Sequence, residues 1–162
     1  MKVHQLMTRN VKTCRTDEPL DRAAATMWQR DCGVLPVMAP GNGTARVVGM
    51  LTDRDICMAA YTQGRPLHDI PVATAMSQSL CSCRPTDAVE VALRVMETNQ
   101  IRRLPVLDAD DHLIGLLSLA DVGREAARGH VAPRREVADA ALGQTLEAIA
   151  APRFAGALVV RA

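Results

Sequence analysis

The chain has 162 residues, 48% of them apolar, which suffices for one core or for two small domains that lean on each other. Its 19 basic and 18 acidic side chains nearly cancel, and no run of Lys or Arg exceeds two, so the extended basic footprint of a nucleic-acid binder is excluded. Only Trp28, Tyr61 and Phe154 are aromatic, so base stacking is scarcely available and the core falls to Ala, Val, Leu, Ile and Met.

The N-terminus carries Lys2, His4, Arg9 and Lys12 without an apolar stretch of signal-peptide length, and nowhere do eighteen apolar residues run together. A cytoplasmic protein that does not enter a membrane is expected. A short strand is predicted over residues 11–14, then a helix opened by Asp17 and Pro19, with Leu20, Ala23, Ala24, Met27 and Trp28 at helical spacing. Two apolar runs, 34–38 and 47–51, flank Pro40-Gly41-Asn42-Gly43 and read as a hairpin. A second helix follows, and Gly64-Arg65-Pro66 opens a linker over residues 64–71.

The chain then repeats itself. Residues 7–38 match residues 76–107 without a gap: Met7, Cys14, Arg15, Ala23, Met27, Leu35, Pro36 and Val37 recur as Met76, Cys83, Arg84, Ala92, Met96, Leu104, Pro105 and Val106. Beyond a shorter loop, Gly49, Leu51 and Asp55 recur as Gly115, Leu117 and Asp121. In the second copy the first helix is opened by Thr86, with Val89, Ala92, Leu93 and Met96 on one face, and the apolar runs 104–107 and 113–117 flank Asp108 to His112. Each copy is a β-α-β-β-α unit of mixed α/β (α+β) class, residues 1–63 and 72–129. It is too small to hide its own sheet face, so the copies are expected to pack sheet to sheet about a pseudo-twofold axis.

Both copies place one device before the last helix: Gly49-Met50-Leu51-Thr52-Asp53-Arg54-Asp55 and Gly115-Leu116-Leu117-Ser118-Leu119-Ala120-Asp121. The glycine admits close approach of a backbone or ligand, and the hydroxyl sits where free N–H groups favour a phosphate. Three residues on, a carboxylate on the same helix face can accept both hydrogens of a ribose diol. A phosphate and a diol contact within one turn describe a nucleoside phosphate. The same spacing is also a helix-capping box, in which Thr52 and Asp55 only satisfy the first turn. Recurrence at equivalent places favours ligand binding.

On these residues, with the opening Leu6-Met7-Thr8 and the strands Leu35-Pro36-Val37 and Leu104-Pro105-Val106, the chain resembles the CBS-domain family over residues 1 to about 129. Specifically, it resembles a stand-alone tandem pair, or Bateman module, of bacterial type. The resemblance implies an adenosine-containing ligand in the cleft between copies, with the hydroxyl on phosphate and Asp on ribose, which assigns Thr52, Asp55, Ser118 and Asp121. It also implies that backbone holds the base at Val11, Thr13, Val34, Leu35 and Pro36, and at Leu80, Ser82, Leu104 and Pro105. Relatives with a basic pair before the Leu-Pro strand use it on phosphates, which points to Arg102 and Arg103; Gly33-Val34 fill that place in copy one. The alternative for the pair is a solvated loop or a salt bridge to Asp108, Asp110 or Asp111. Arg54 is a further candidate for neutralising phosphate.

Catalytic constellations are missing. His4, His68, His112 and His130 have no repeated carboxylate or Cys companion, and no P-loop, G-x-S-x-G or H-E-x-x-H occurs. The five cysteines, Cys14, Cys32, Cys57, Cys81 and Cys83, form no C-x-x-C, which fits reduced thiols better than zinc or disulfides; Cys81 and Cys83 are expected to alternate in a strand. The expected function is a non-catalytic sensor of AMP, ADP or ATP. Alternatives are a sensor of S-adenosylmethionine or NAD, and a ligand-free dimer that acts as an interaction scaffold. The resemblance implies a homodimer joined through helices, with Ala23, Met27 and Trp28 or Val95 and Met96 as candidate contacts, and a separate effector protein. In the extension, residues 130–162, Val137, Ala141, Leu142, Leu146 and Ile149 keep near-helical spacing: the helix covers a seam or partner, or packs back on its own domain.

Overall fold

The computed structural model describes residues 1–40, 46–129 and 139–151. The first repeat contains α1 (Val3–Leu6), β1 (Cys14–Arg15), α2 (Leu20–Gln29), β2 (Val34–Met38), β3 (Val47–Thr52) and α3 (Asp53–Gln63). Two 3-10 turns, Leu67–Asp69 and Val72–Thr74, lead to α4 (Val89–Asn99), β4 (Arg103–Leu107), β5 (Leu113–Ser118) and α5 (Leu119–Gly129). Helix α6 (Asp139–Ala150) follows. Among the described residues no helix is long and apolar enough to cross a membrane.

Local sequence explains these limits. Helix α2 starts after Pro19, whose fixed φ suits the entry, and buries Leu20, Ala23 and Met27 along one stripe. Helix α3 stops at Gly64, which adopts φ 61° and returns its N–H to the Ala60 carbonyl. The hairpins have matching registers: Leu35 faces Leu51 and Leu104 faces Leu117, and each pairing shifts after Val37 or Val106. The hairpin loop read at Gly41-Asn42-Gly43 lies outside the described residues.

Three expectations are corrected. The strand over residues 11–14 shrinks to Cys14–Arg15, because only these two lie beside Val37 and Met38, and the Val11 N–H turns back to the Arg9 carbonyl. In copy two only Cys83 pairs, with Val106, so Cys81 and Cys83 do not alternate in a strand. Helix α4 opens at Val89 rather than at Thr86, because the Val89 N–H is taken by the Met1 carbonyl at 3.1 Å.

That last contact belongs to a reciprocal exchange. Lys2 pairs with Ala88 and Pro71 with Pro19; Thr8 pairs with Leu116 and Ser77 with Met50. In repeat coordinates each pairing is the other with its partners swapped, which is the mark of a twofold relation. The segment leading each repeat therefore completes the other one. Val3 and Met7 sit in the second core with Leu104 and Leu117, while Ile70 and Val72 sit in the first with Leu35 and Leu51. The result is a pair of β-α-β-β-α repeats of mixed α/β class with interlocked cores. Helix α6 packs back on the second repeat, where Ala141, Leu142 and Ile149 lie against its core.

Candidate functional site

The two devices fold alike. Thr52 ends β3 in an extended conformation and caps α3: its Oγ1 accepts the Asp55 N–H at 3.1 Å. The Asp55 carboxylate returns the bond, with Oδ2 accepting from Thr52 N–H at 2.8 Å and from Oγ1 at 2.7 Å. Ser118 and Asp121 repeat this arrangement at 3.1, 2.8 and 2.6 Å. The capping box is thus real in both copies, and it leaves one carboxylate oxygen, Oδ1, directed elsewhere. Asp55 Oδ1 has no hydrogen-bond partner among the described residues, whereas Asp121 Oδ1 accepts from Arg124.

The motif glycine has a backbone role. A Cβ on Gly49 would lie 2.4 Å from the Ser77 carbonyl oxygen, and one on Gly115 would meet Met7 Sδ at 2.6 Å and the Thr8 oxygen at 3.1 Å. The close approach these glycines permit is that of the exchanged segment.

Outside the boxes the copies diverge. At the start of α3 the Asp53 N–H bonds to the Gly33 carbonyl at 3.2 Å, and a Cβ on Gly33 would lie 2.9 Å from Asp53 Oδ2. At the start of α5 the Leu119 N–H makes the equivalent bond to Arg102 at 2.9 Å. One backbone frame therefore carries a carboxylate in copy one and guanidinium groups in copy two. Arg102, Arg103 and Ser118 line a cavity of about 320 Å³, walled on its far side by Leu142 and Leu146 of α6. Two of the three carboxylates weighed as alternative partners of this Arg pair are engaged elsewhere, Asp111 with Arg84 at 2.7 Å and Asp108 with His112 at 3.4 Å, and the third, Asp110, makes no ion pair with either Arg among the described residues.

Of the remaining candidates, Val34, Leu35, Pro36, Leu104 and Pro105 are buried in β2 and β4, and Leu35 and Leu104 are fully enclosed by the two cores. Val11, Leu80 and Ser82 are half-buried, Thr13 is exposed, and all four lie just before the pairing residues Cys14 and Cys83. Arg54 is exposed, and its N–H caps Asp53 at 2.7 Å. The structure thus gathers Arg102, Arg103 and Ser118 around one cavity and binds Thr52 to Asp55 and Ser118 to Asp121. Sequence reasoning missed Arg124 and the two leucines of α6. The i, i+3 spacing of Asp121 and Arg124 was the available signal for the first.

Burial, and secondarily Glu18, pushes the Cys14 thiol up to about 12; burial and Asp87 do the same for Cys83. Among the described residues one set of metal-capable groups converges, Asp108, Asp110 and His112. Asp108 Oδ1 there accepts the N–H groups of Asp110 at 3.0 Å and His112 at 2.9 Å; the His112 bond first, then Asp110, holds this carboxyl below its usual range. The set closes a turn.

Interlocked repeats, each with a capped Thr/Ser-x-x-Asp turn beside a Pro-containing strand, define a tandem regulatory-type pair rather than two independent domains. The CBS-domain profile matches residues 3–61 and 69–127, and the chain belongs to the CBS-domain family. It is 38% identical over 120 residues to the CBS domain-containing protein YhcV of Bacillus subtilis, spanning 74% of this chain and 81% of that protein. A homoserine O-acetyltransferase of Methanohalobium evestigatum is 27% identical over 122 residues, which span 23% of its length, so such pairs also occur within enzymes. Among solved structures, a CBS domain protein of Pyrobaculum aerophilum complexed with AMP superposes with a TM-score of 0.67 at 24% identity, covering 75% of this chain and 89% of that one. A CBS domain pair in complex with 5′-methylthioadenosine and S-adenosyl-L-methionine gives 0.68 at 18% identity, covering 76% and 94%. At these identities the likeness is one of fold.

Proposed function

We propose that the chain is a non-catalytic sensor that binds AMP, ADP or ATP and signals by a change in the mutual angle of its two repeats. The observation that carries this reading is the cavity at the start of α5. There Arg102 and Arg103 have no ion-pair partner among the described residues and lie beside the Ser118 hydroxyl. Guanidinium groups, a hydroxyl and a helix N-terminus together suit phosphate. Asp121 takes the ribose diol once Arg124 swings off, and the backbone at Leu80, Ser82, Leu104 and Pro105 holds the base. In repeat one Asp55, with Oδ1 open, reads a ribose, Thr52 and Arg54 face its phosphate, and residues Val11, Thr13, Val34, Leu35 and Pro36 hold the base. Asp53 disfavours a second strong phosphate contact there. The adenosine-containing ligands of the two solved neighbours support this ligand class.

A ligand favours one arrangement of the repeats in proportion to its differential affinity for the two, and that difference is what an effector can read. In this reading the chain works in the cytoplasm as a homodimer, binds without turnover and acts on a separate effector protein.

Thermal unfolding with AMP, ADP, ATP, NAD and S-adenosylmethionine tests it. A ligand at about 100 times its Kd adds about 2.7 kcal/mol, or roughly 5 to 10 °C for a chain of this size. The shift is expected with a nucleotide and is lost in Arg102→Ala/Arg103→Ala and in Ser118→Ala. A shift with S-adenosylmethionine or NAD that survives the Arg substitutions would transfer the site to those cofactors. No shift with any of the five would overturn the sensor and favour a scaffold.

A further inference from the structure

Helix α6 covers one repeat and leaves the other open. Among the described residues, the cavity at Gly33, Asp53 and Cys57 is lined by repeat one alone, whereas the equivalent cavity at Arg102, Leu119 and Gly123 has Leu142 and Leu146 of α6 as its outer wall. The covered copy is the one that carries the Arg pair beside the Ser118 hydroxyl.

The cover is held weakly. No apolar side chain of α6 reaches full burial among the described residues, and Leu146 is 50% exposed. The buried side chain of α6 is a polar one, Thr145, whose hydroxyl donates to the Ala141 carbonyl of the same helix at 2.8 Å. Gly143 stands inside the helix, where glycine is unfavourable, and a Cβ there would meet nothing within 4 Å among the described residues, so close packing does not require it. A helix of 12 residues is marginal in water, so α6 that leaves the repeat also unwinds. Against this, the Gln100 amide donates to the carbonyls of Ala148 and Ala151 at 3.2 and 3.3 Å and ties down the end of the helix.

We propose that α6 is an autoinhibitory lid: docked, it covers the cavity of Arg102, Arg103 and Ser118, and a nucleoside phosphate bound there drives it off. A phosphate at Ser118 and the start of α5 faces Leu142 and Leu146 across the cavity, and the oxygens turned towards them lose water without gaining a donor. Glu147, the one charged residue among residues 140–151, adds a charge of the same sign as the phosphate. Undocking returns water to that side and leaves the guanidinium groups in place. Nucleotide and docked α6 therefore compete, and by linkage each weakens the other by the same factor. The empty and occupied states then differ in whether α6 covers α4 and α5. The inference rests on the phosphate site of the proposed function, so its test measures binding and the state of α6 separately.

Calorimetric titration of the full chain with AMP and with ATP gives the first quantity, and amide exchange over residues 139–151 with and without each nucleotide gives the second. Exchange over that stretch should quicken when nucleotide is bound. Gly143→Ala, outside the cavity, favours the helical, docked form by about fivefold, so Kd should rise about fivefold, because apparent affinity scales with the uncovered fraction. Gln100→Ala, which loosens the lid, should lower Kd at least about twofold. Circular dichroism reports the fold of each variant. Slower exchange with nucleotide, together with tighter binding by Gly143→Ala, would overturn the lid and make α6 a clamp that completes the site. Equal Kd in the parent and both variants would also overturn it while leaving the phosphate site standing. No binding of either nucleotide by any of the three would remove the phosphate site itself, and the lid with it.

Discussion

Gly49→Ala should destabilise the chain by about 3 kcal/mol, roughly twice the cost of Gly115→Ala, although the two glycines are equivalent in the repeat. The added methyl at Gly49 arrives 2.4 Å from the Ser77 carbonyl oxygen. That oxygen accepts the Met50 N–H at 3.1 Å, and the Ser77 N–H returns a bond to Met50 at 2.9 Å. Relieving the clash requires backbone to move by close to 1 Å, which breaks both bonds at about 0.5 to 1.5 kcal/mol each, and overpacking adds about 1 kcal/mol or more. At Gly115 the first atom met is Met7 Sδ, at the flexible end of a side chain, and the nearest backbone atom is 3.1 Å away. A rotamer change and a small shift suffice there, at about 1 to 2 kcal/mol. Urea unfolding of both variants beside the parent measures the difference. Equal losses, or a larger loss at Gly115, would refute the claim that the exchanged backbone, rather than a ligand, sets the need for glycine.

Asp55→Ala and Asp121→Ala should each cost about 1 to 2 kcal/mol in the absence of ligand through loss of the reciprocal cap, with the Arg124 pair adding less than about 1 kcal/mol to the second; thermal melts check this. Cys14 and Cys83 should resist iodoacetamide in the native state while exposed Cys57 reacts, as peptide mass mapping would show. Because both buried thiols have a folded pKa raised from 9.0 to about 12, their contribution to stability is full below pH 9 and is lost as pH rises from there towards 12, by at most about 1.4 kcal/mol per thiol per pH unit; urea midpoints of the parent and of Cys14→Ala/Cys83→Ala should converge over that interval. Gln100→Ala should speed amide exchange across residues 139–151, since it removes the amide bonds to Ala148 and Ala151.

Elements with a strong period were legible in the sequence, and so was their repetition. The stripe of Leu20, Ala23 and Met27 sets α2, and matched hairpin registers follow from matched residues. The exchange of leading segments was not legible, because it rests on pairings such as Thr8 with Leu116, which no local pattern encodes. The same contacts move the start of α4 from Thr86 to Val89 and give the motif glycine its reason. The apolar stripe of α6 fits a seam, a partner or its own domain equally, and the packing of Ala141, Leu142 and Ile149 on the second core, with the Gln100 tether, decides it.

The two capping boxes agree to within about 0.1 Å in every bond, so they cannot by themselves distinguish a site from a helix start. What distinguishes the copies is what surrounds the boxes. Where copy one has Gly33, Val34, Asp53 and Met58, copy two has Arg102, Arg103, Leu119 and Arg124, each of which makes the second turn more positive, against one change of the opposite sign, Arg54 to Ala120. A helix start needs none of those changes, since α3 is capped as well as α5. A bound phosphate does, because its charge must be met by groups not already neutralised, and Arg102 and Arg103 have no carboxylate partner among the described residues. The divergence between the repeats is therefore stronger support for a phosphate site than their likeness, and it directs that phosphate to repeat two: Ser118→Ala should weaken a nucleotide more than Thr52→Ala, and the reverse order would remove the Arg pair from the site.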